Sequence, residues 1–334
     1  MVFLIAFLFI FNIPQAKTDS LDREYNKTVE IASRLFYIGE IDSVKKYGNL
    51  LIEKYPERSE GYRLICMYWI SENDWNKAIK WGKKAVKKDE NSGMAHHWLG
   101  RAFGLKAQNS SKFRAAFLVG DIRKHFKRAA ELMPEYIKTH EDLFSFYAKT
   151  PMIAGGSVEK AKEELEHIEN LDPHRGADMK ANFFLSLGEY ELAEREIEKA
   201  INLDSLNLAT RWTKMHILKN INIRSSRKQL RIILKMSPGD SLRIFYQLGL
   251  TYLSEGDSLQ AGIEIYNRYL ASPVVKSSPM YIASFWRLGM VYEKAGNYTD
   301  AKAKYEESLA LNPNFNPAKR SLKKLNELIS RSKN

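Results

Sequence analysis

A block that recurs down this chain constrains its fold more than any other feature. It reads most clearly as Phe285-Trp286-Arg287-Leu288-Gly289-Met290-Val291-Tyr292, followed by Ala301, Tyr305 and Pro313. Apolar residues at helical spacing on either side of a short break describe two helices whose apolar faces must meet. Gly289 and Ala301 are small where the two helices approach closely, because a larger side chain would push them apart. Asn312-Pro313 stops the second helix, since proline cannot continue it, and turns the chain into the next unit. One such unit cannot bury its apolar face alone, so copies must stack.

Aligned on the small residue of the second helix, units begin near Tyr25, Ser59, Gly93, Ile137, His174, Leu208, Leu242 and Ile282. The steps from 25 to 59 and from 59 to 93 are 34 residues each. Unit two carries Tyr62, Ile65, Trp69, Ala78 and Ala85, and unit three Trp98-Leu99-Gly100, Phe103, Phe126, Ala129 and Pro134. Unit seven carries Phe245, Leu248-Gly249, Tyr252, Ala261 and Pro273. Units one, five and six match less well. Unit six, residues 208–241, reads as degenerate, with Arg227 where the alanine is expected.

This order of aromatic, Leu-Gly, Tyr, Ala, aromatic and Pro at a 34-residue step resembles the tetratricopeptide (TPR) repeat. The resemblance covers nearly all of the chain after residue 20. It implies an all-α helix-turn-helix solenoid, a right-handed superhelix of seven or eight repeats over residues 22–315, followed by a capping helix and tail over 316–334. In that cap Leu322, Leu325 and Ile329 are expected to cover the last repeat while Lys319, Lys323 and Lys324 face water. Two stretches depart from the pattern. Repeat three is about ten residues too long around Lys106 to Leu118, and repeat four carries about five extra residues in Thr150-Pro151-Met152-Ile153-Ala154-Gly155-Gly156-Ser157. With Trp98-Leu99-Gly100-Arg101-Ala102-Phe103-Gly104, these stretches resemble a group of exported bacterial TPR proteins of no defined activity. Residues 93–175 are more loosely similar to TPR regulators of microtubule dynamics, but a shared repeat fold does not transfer a function.

Val2 to Ile13 is almost wholly apolar and, at about a dozen residues, too short to cross a bilayer as a helix. Ala16 offers a small residue for cleavage ahead of Lys17-Thr18-Asp19, so residues 1–16 read as a secretory signal peptide and the protein as exported, periplasmic or secreted. Retained, residues 2–13 would serve as a membrane anchor. The single cysteine, Cys66, rules out an internal disulfide and is expected as a small buried residue.

Lys and Arg number 52 against 40 Asp and Glu, a net charge of +12. Between Ser205 and Gly239 there is no acidic residue against Arg211, Lys214, Lys219, Arg224, Arg227, Lys228, Arg231 and Lys235. Arg101 to Arg128 holds eight cations against Asp121. Such stretches are either solvated basic faces or patches for an acidic protein or an anionic membrane surface. The eight cations of repeat six, uncompensated, would also make it a loose joint between its neighbours. Nucleic acid is disfavoured, since no base-reading motif is present.

In the TPR family the first helices line a concave groove. The groove-facing positions fall here on Arg63, Met67, His97, Arg101, Glu141, Trp212, His216, Tyr246, Trp286 and Met290. Aromatics and Arg contribute most when buried against a partner. The two-Lys, two-Asn clamp by which some TPR domains hold a C-terminal carboxylate is missing, since Met67 and Arg101 stand where Asn is needed. The implied partner is a protein or peptide. No small-molecule substrate, cofactor, metal or catalytic residue is expected. His96-His97 are helix neighbours about 100° apart, whereas helical zinc sites use i, i+4 spacing. Gly155-Gly156 lacks the Lys-Ser/Thr of a phosphate loop and reads as a turn into a helix capped by Ser157. The expected function is therefore a non-enzymatic interaction scaffold, or an envelope or membrane-surface adaptor acting through residues 205–239.

Overall fold

The computed structural model describes residues 15–278 and 280–331; the apolar run Val2 to Ile13, expected as signal or anchor, lies outside them. Among the described residues there are eighteen α-helices and no strand. The chain divides into two compact units, one ending at Leu171 and the other beginning at Asp172.

The first unit holds α1 (Gln15–Tyr37), α2 (Ile41–Lys54), α3 (Ser59–Ser71), α4 (Trp75–Lys88), α5 (Gly93–Gln108), α6 (Lys112–Ala116), α7 (Val119–Leu132), α8 (Ile137–Lys149) and α9 (Val158–Leu171). These pair as α1/α2, α3/α4, α5/α7 and α8/α9. The long insert of repeat three becomes the short α6, and the extra residues of repeat four a 3-10 turn at Met152–Ala154. Gly155 there is left-handed, at φ 99°, and a Cβ on Gly156 would strike the Thr150 carbonyl oxygen, so the turn demands both glycines. Ser157 Oγ then accepts from Lys160 N at 3.2 Å and caps α9.

The second unit holds α10 (Pro173–Leu187), α11 (Tyr190–Leu203), α12 (Leu208–Ile221), α13 (Ile223–Met236), α14 (Ser241–Glu255), α15 (Leu259–Ala271), α16 (Met280–Lys294), α17 (Tyr298–Leu311) and α18 (Asn316–Arg331). Four pairs and a closing helix result. In α18 Leu325 is buried, with Leu322 and Ile329 partly so, against Ala301 and Tyr305 of α17. Lys319, Lys323 and Lys324 are exposed.

One rule governs every pair: the fourth residue of the second helix is buried. These residues are Val44, Ala78, Ile122, Ala161, Ala193, Ser226, Gly262 and Ala301. Close packing also explains the Gly of the Leu-Gly pair, because a Cβ on Gly100, Gly249 or Gly289 would stand 2.6 Å from Phe126, Tyr266 or Tyr305 of the facing helix. The rule corrects the alignment of repeat six. The residue in the close-packed place is Ser226, whose Oγ donates to the Met215 carbonyl of α12 at 3.2 Å, and not Arg227. The cause is the connection. Asn222 alone joins α12 to α13, ending one and capping the other through Arg224 N and Ser225 N. In repeat seven, likewise, Gly262 rather than Ala261 is buried.

Candidate functional site

The ten residues expected to line a groove fall into two groups. In the first unit, Arg63, Met67 and His97 are buried and occupied by their own neighbours. Arg63 donates to Glu60 at 2.5 Å, to Met67 Sδ at 2.9 Å and to Ser33 Oγ at 3.2 Å. His97 packs edge-on to Tyr136, with ring centres 5.7 Å apart, and its Nδ1 stands 3.2 Å from Asp142 Oδ2. Burial pushes His97 down to about 3 and Asp142 up to about 6, favouring the uncharged form of each. Phe36, near the end of α1, stands edge-on to Trp98 at 5.1 Å. Side chains from α1 and from the start of α8 thus fill the face that a partner would need. Arg101, stacked 4.8 Å over Trp98, and Glu141, paired with Lys138 at 3.0 Å, are only half-buried.

In the second unit Tyr246 is buried, lying 5.7 Å from Tyr269. Trp212 is covered by Arg243 at 4.1 Å, and His216 beside it is exposed. Trp286 is spoken for: its Nε1 donates to Ser321 Oγ of α18 at 2.9 Å, and its ring stands edge-on to Phe315 at 5.9 Å. It holds the closing helix.

The expected uncompensated basic patch is corrected for three of its eight cations, Lys214, Arg224 and Arg227, which meet carboxylates. Arg227 is buried, 3.8 Å over the Tyr252 ring, and donates to Glu255 at 2.8 Å and Asp257 at 2.9 Å. Arg224 pairs with the same two carboxylates, Lys214 with Glu198, Arg231 with the Tyr252 hydroxyl at 2.7 Å, and Arg211 with the Ser205 carbonyl. The acids come from the neighbouring repeats, outside the acid-free stretch, so a count along the chain missed them. Lys219, Lys228 and Lys235 remain exposed to water.

What the second unit does leave open is a groove of about 550 Å³ beside Met290. Leu253 and Ser254 of α14, Glu293 and Lys294 of α16, Tyr298 and Tyr305 of α17, and Ser321, Lys324 and Leu328 of α18 complete its walls. The Tyr305 hydroxyl donates to Glu293 Oε2 at 2.5 Å, which ties up the carboxylate and pushes the phenol up, burial being the larger cause. Lys294 reaches the Leu253 carbonyl at 3.1 Å, while Lys324 is exposed at the lip. The walls are therefore apolar at Leu253, Met290 and Leu328 with two ammonium groups at the rim. Only Met290 was legible as a groove residue. Lys324 and Leu328 come from the closing helix, which the repeat pattern does not describe.

His96 and His125, on α5 and α7, meet Nδ1 to Nδ1 at 2.9 Å, and His96 Nε2 donates to the Glu90 carbonyl at 3.1 Å. Among the described residues no group of three or more His, Cys, Asp or Glu is placed to hold a metal ion. Cys66 is fully buried, which pushes its thiol up to about 12.

Models of the tetratricopeptide repeat match residues 177–205 and 283–315, which are α10/α11 and α16/α17. This chain carries tetratricopeptide repeats. One of the two matched segments is the fifth repeat, one of the three whose residues follow the pattern less closely. TPR proteins generally mediate protein–protein interaction. A curated relative, human Superkiller complex protein 3, is 23% identical over 292 residues; the match covers 85% of this chain, which spans 18% of that protein's length. Among solved structures, a tetratricopeptide repeat protein from Parabacteroides merdae is similar at TM-score 0.49 and 14% identity, covering 83% of this chain and 98% of that one. A thermophilic TPR protein from Thermus thermophilus gives 0.47 at 17% identity, covering 58% and 98%. Likeness of this degree says nothing of partner or activity.

Proposed function

We propose that the protein is a non-enzymatic interaction scaffold of an extracytoplasmic compartment, and that its second unit holds a peptide segment of a partner protein in the α14–α18 groove. The observation that carries this is the open amphipathic groove beside Met290, in a protein whose other expected contact residues are largely covered by their own neighbours. A segment with one or two apolar side chains would reach Leu253, Met290 and Leu328. Carboxylates flanking them would meet Lys294 and Lys324, whose charges outnumber the single, hydrogen-bonded Glu293. Export rests on the apolar run at residues 2–13, and N-terminal sequencing of the protein from its host tests it.

A random peptide library panned on the whole chain tests the groove. Recovered peptides should share an apolar anchor flanked by Asp or Glu. Their binding should weaken about tenfold on Lys324→Glu or Leu328→Asp, both exposed positions, and fall with added salt. Peptides indifferent to both substitutions would place recognition elsewhere.

A further inference from the structure

Four large apolar side chains of the first unit project into water from two neighbouring turns. On and just after α6 Phe113 is 75% exposed and Phe117 72%; in the turn after α8 Met152 is 82% exposed and Ile153 99%. Burying a side chain of this size is worth a factor of roughly ten or more, so four left in the open call for an explanation. Phe113 and Phe117 stand together, edge to face at 5.1 Å, the first on a helix only five residues long and the second capping its end. These are the two stretches by which repeats three and four exceed the repeat length, so neither helix pair needs them for its own core.

The two turns are linked through one arginine side chain. α6 runs through Phe117 and Leu118 directly into α7, and one turn into α7 the Arg123 Nη1 lies 3.1 Å from where a Cβ on Gly155 would stand. Both join a first helix to a second in successive repeats, which sets them on one edge of the stack.

The charge around them is mainly positive. Lys112, Arg114, Arg123, Lys124, Lys127, Lys149 and Lys160 are exposed, against Asp121 alone from Arg101 to Arg128 and Glu159 at the end of the second turn.

We propose that this edge docks the first unit on an anionic bilayer, with Phe113, Phe117, Met152 and Ile153 entering the headgroup boundary and the cations facing lipid phosphates. Aromatic and aliphatic side chains flanked by Lys and Arg suit that boundary, where one end of the surface is apolar and the rest is wet and negative. A folded protein partner fits less well. A standard interface needs about 800 Å² a side around a packed centre, whereas these side chains stand on two small protruding turns. The inference is independent of the peptide groove, which lies in the other unit.

Co-sedimentation of the whole chain with phosphatidylcholine vesicles, with and without a third of phosphatidylglycerol, tests it. The protein should sediment with the anionic vesicles, not with the neutral ones, and release as salt is raised. The pairs Phe113→Ser/Phe117→Ser and Met152→Ser/Ile153→Ser should each weaken binding at least about tenfold with an unchanged circular dichroism spectrum. Lys219→Glu/Lys228→Glu, in the second unit, should change it little. Failure to bind the anionic vesicles overturns the proposal. So does equal binding by the serine variants, which would mean charge alone, or soluble polyglutamate captured with the same dependence on the phenylalanines, which would mean an acidic protein.

Discussion

Gly289 and Trp286, neighbours on one helix, differ in how far a repeat pattern can describe them. Gly289 was legible, because a Leu-Gly pair opposite an aromatic has a steric cause that needs no neighbours beyond the helix pair. A Cβ there would meet Tyr305 at 2.6 Å and the Ala301 carbonyl oxygen at 3.1 Å. Gly289→Leu should therefore cost about 1–3 kcal/mol, read as a lower denaturation midpoint. Trp286 was legible only as a residue on the inner face. What covers it, Ser321 and Phe315, belongs to α18 and to the approach to it. Trp286→Ala should consequently loosen the closing helix, and hydrogen exchange in residues 316–331 should rise while α10 and α11 stay protected. Exchange unchanged in α18 would mean the tryptophan is not what holds it. Arg63, Met67 and His97 carry the same lesson: family position named their face, and Phe36 and Tyr136, which no repeat consensus specifies, decide that the face is full.

Between elements, the sixth repeat reverses its expected role. A loose joint follows if Arg227 interrupts the close-packed place and if the repeat's eight cations lack carboxylates; the first condition does not hold, and Lys214, Arg224 and Arg227 of the eight meet acids of the flanking repeats. Asn222 shortens the connection, Ser226 takes the close-packed place, and Arg227 points instead to Glu255 and Asp257 at the end of α14. Arg227→Ala leaves two carboxylates and the Thr251 carbonyl short of a donor, and should cost about 2 kcal/mol, a buried charged hydrogen bond being worth roughly that. Arg227→Lys should recover only part, since Nη2 alone meets both acids but an ammonium gives up the Nε bond to Thr251 Oγ1 and the planar stack over Tyr252. If both variants unfold with the unsubstituted protein, the joint is held by α13–α14 packing alone.

The helix pairs of the first unit also set a pH dependence. Burial pushes His96 down, His125 to about 4 and His97 to about 3, so each folds best uncharged. Unfolded, these imidazoles titrate near 6.5, so their contribution is complete above about pH 6.5 and is lost as pH falls toward 4. Two groups act the other way. His140 is raised by its hydrogen bond to Glu164 at 2.8 Å and stabilises below about 6.5, losing this as pH rises. Asp142, raised to about 6 by burial, likewise favours low pH, but these two groups oppose three lowered imidazoles. The melting temperature should therefore fall between pH 7 and pH 4.5. His125→Gln, whose amide can still donate to His96, should shrink that fall. A flat profile would mean the histidine pair is hydrated in solution.

For the whole molecule, the eight pairs and closing helix were legible because each unit repeats one steric solution, whereas the division at Leu171 was not: Leu171-Asp172-Pro173 looks like any other end between repeats. In both units helices pack against the next one or two along the chain, as α3 does on α2, α4 and α5, or α16 on α15, α17 and α18. Because most ties run between helices one or two apart along the chain, stability is close to a sum over neighbours, and damage should stay where it is made. Gly289→Leu should raise exchange across α16, α17 and α18 and leave the amides of α3, α4 and α5 at their original protection. Gly100→Leu, which would strike Phe126 at 2.6 Å, should do the converse, exposing α5 and α7 while α16 and α17 stay closed. Either substitution opening all eighteen helices together would make the protein one cooperative body and remove the basis for treating the peptide groove and the basic edge as separable sites.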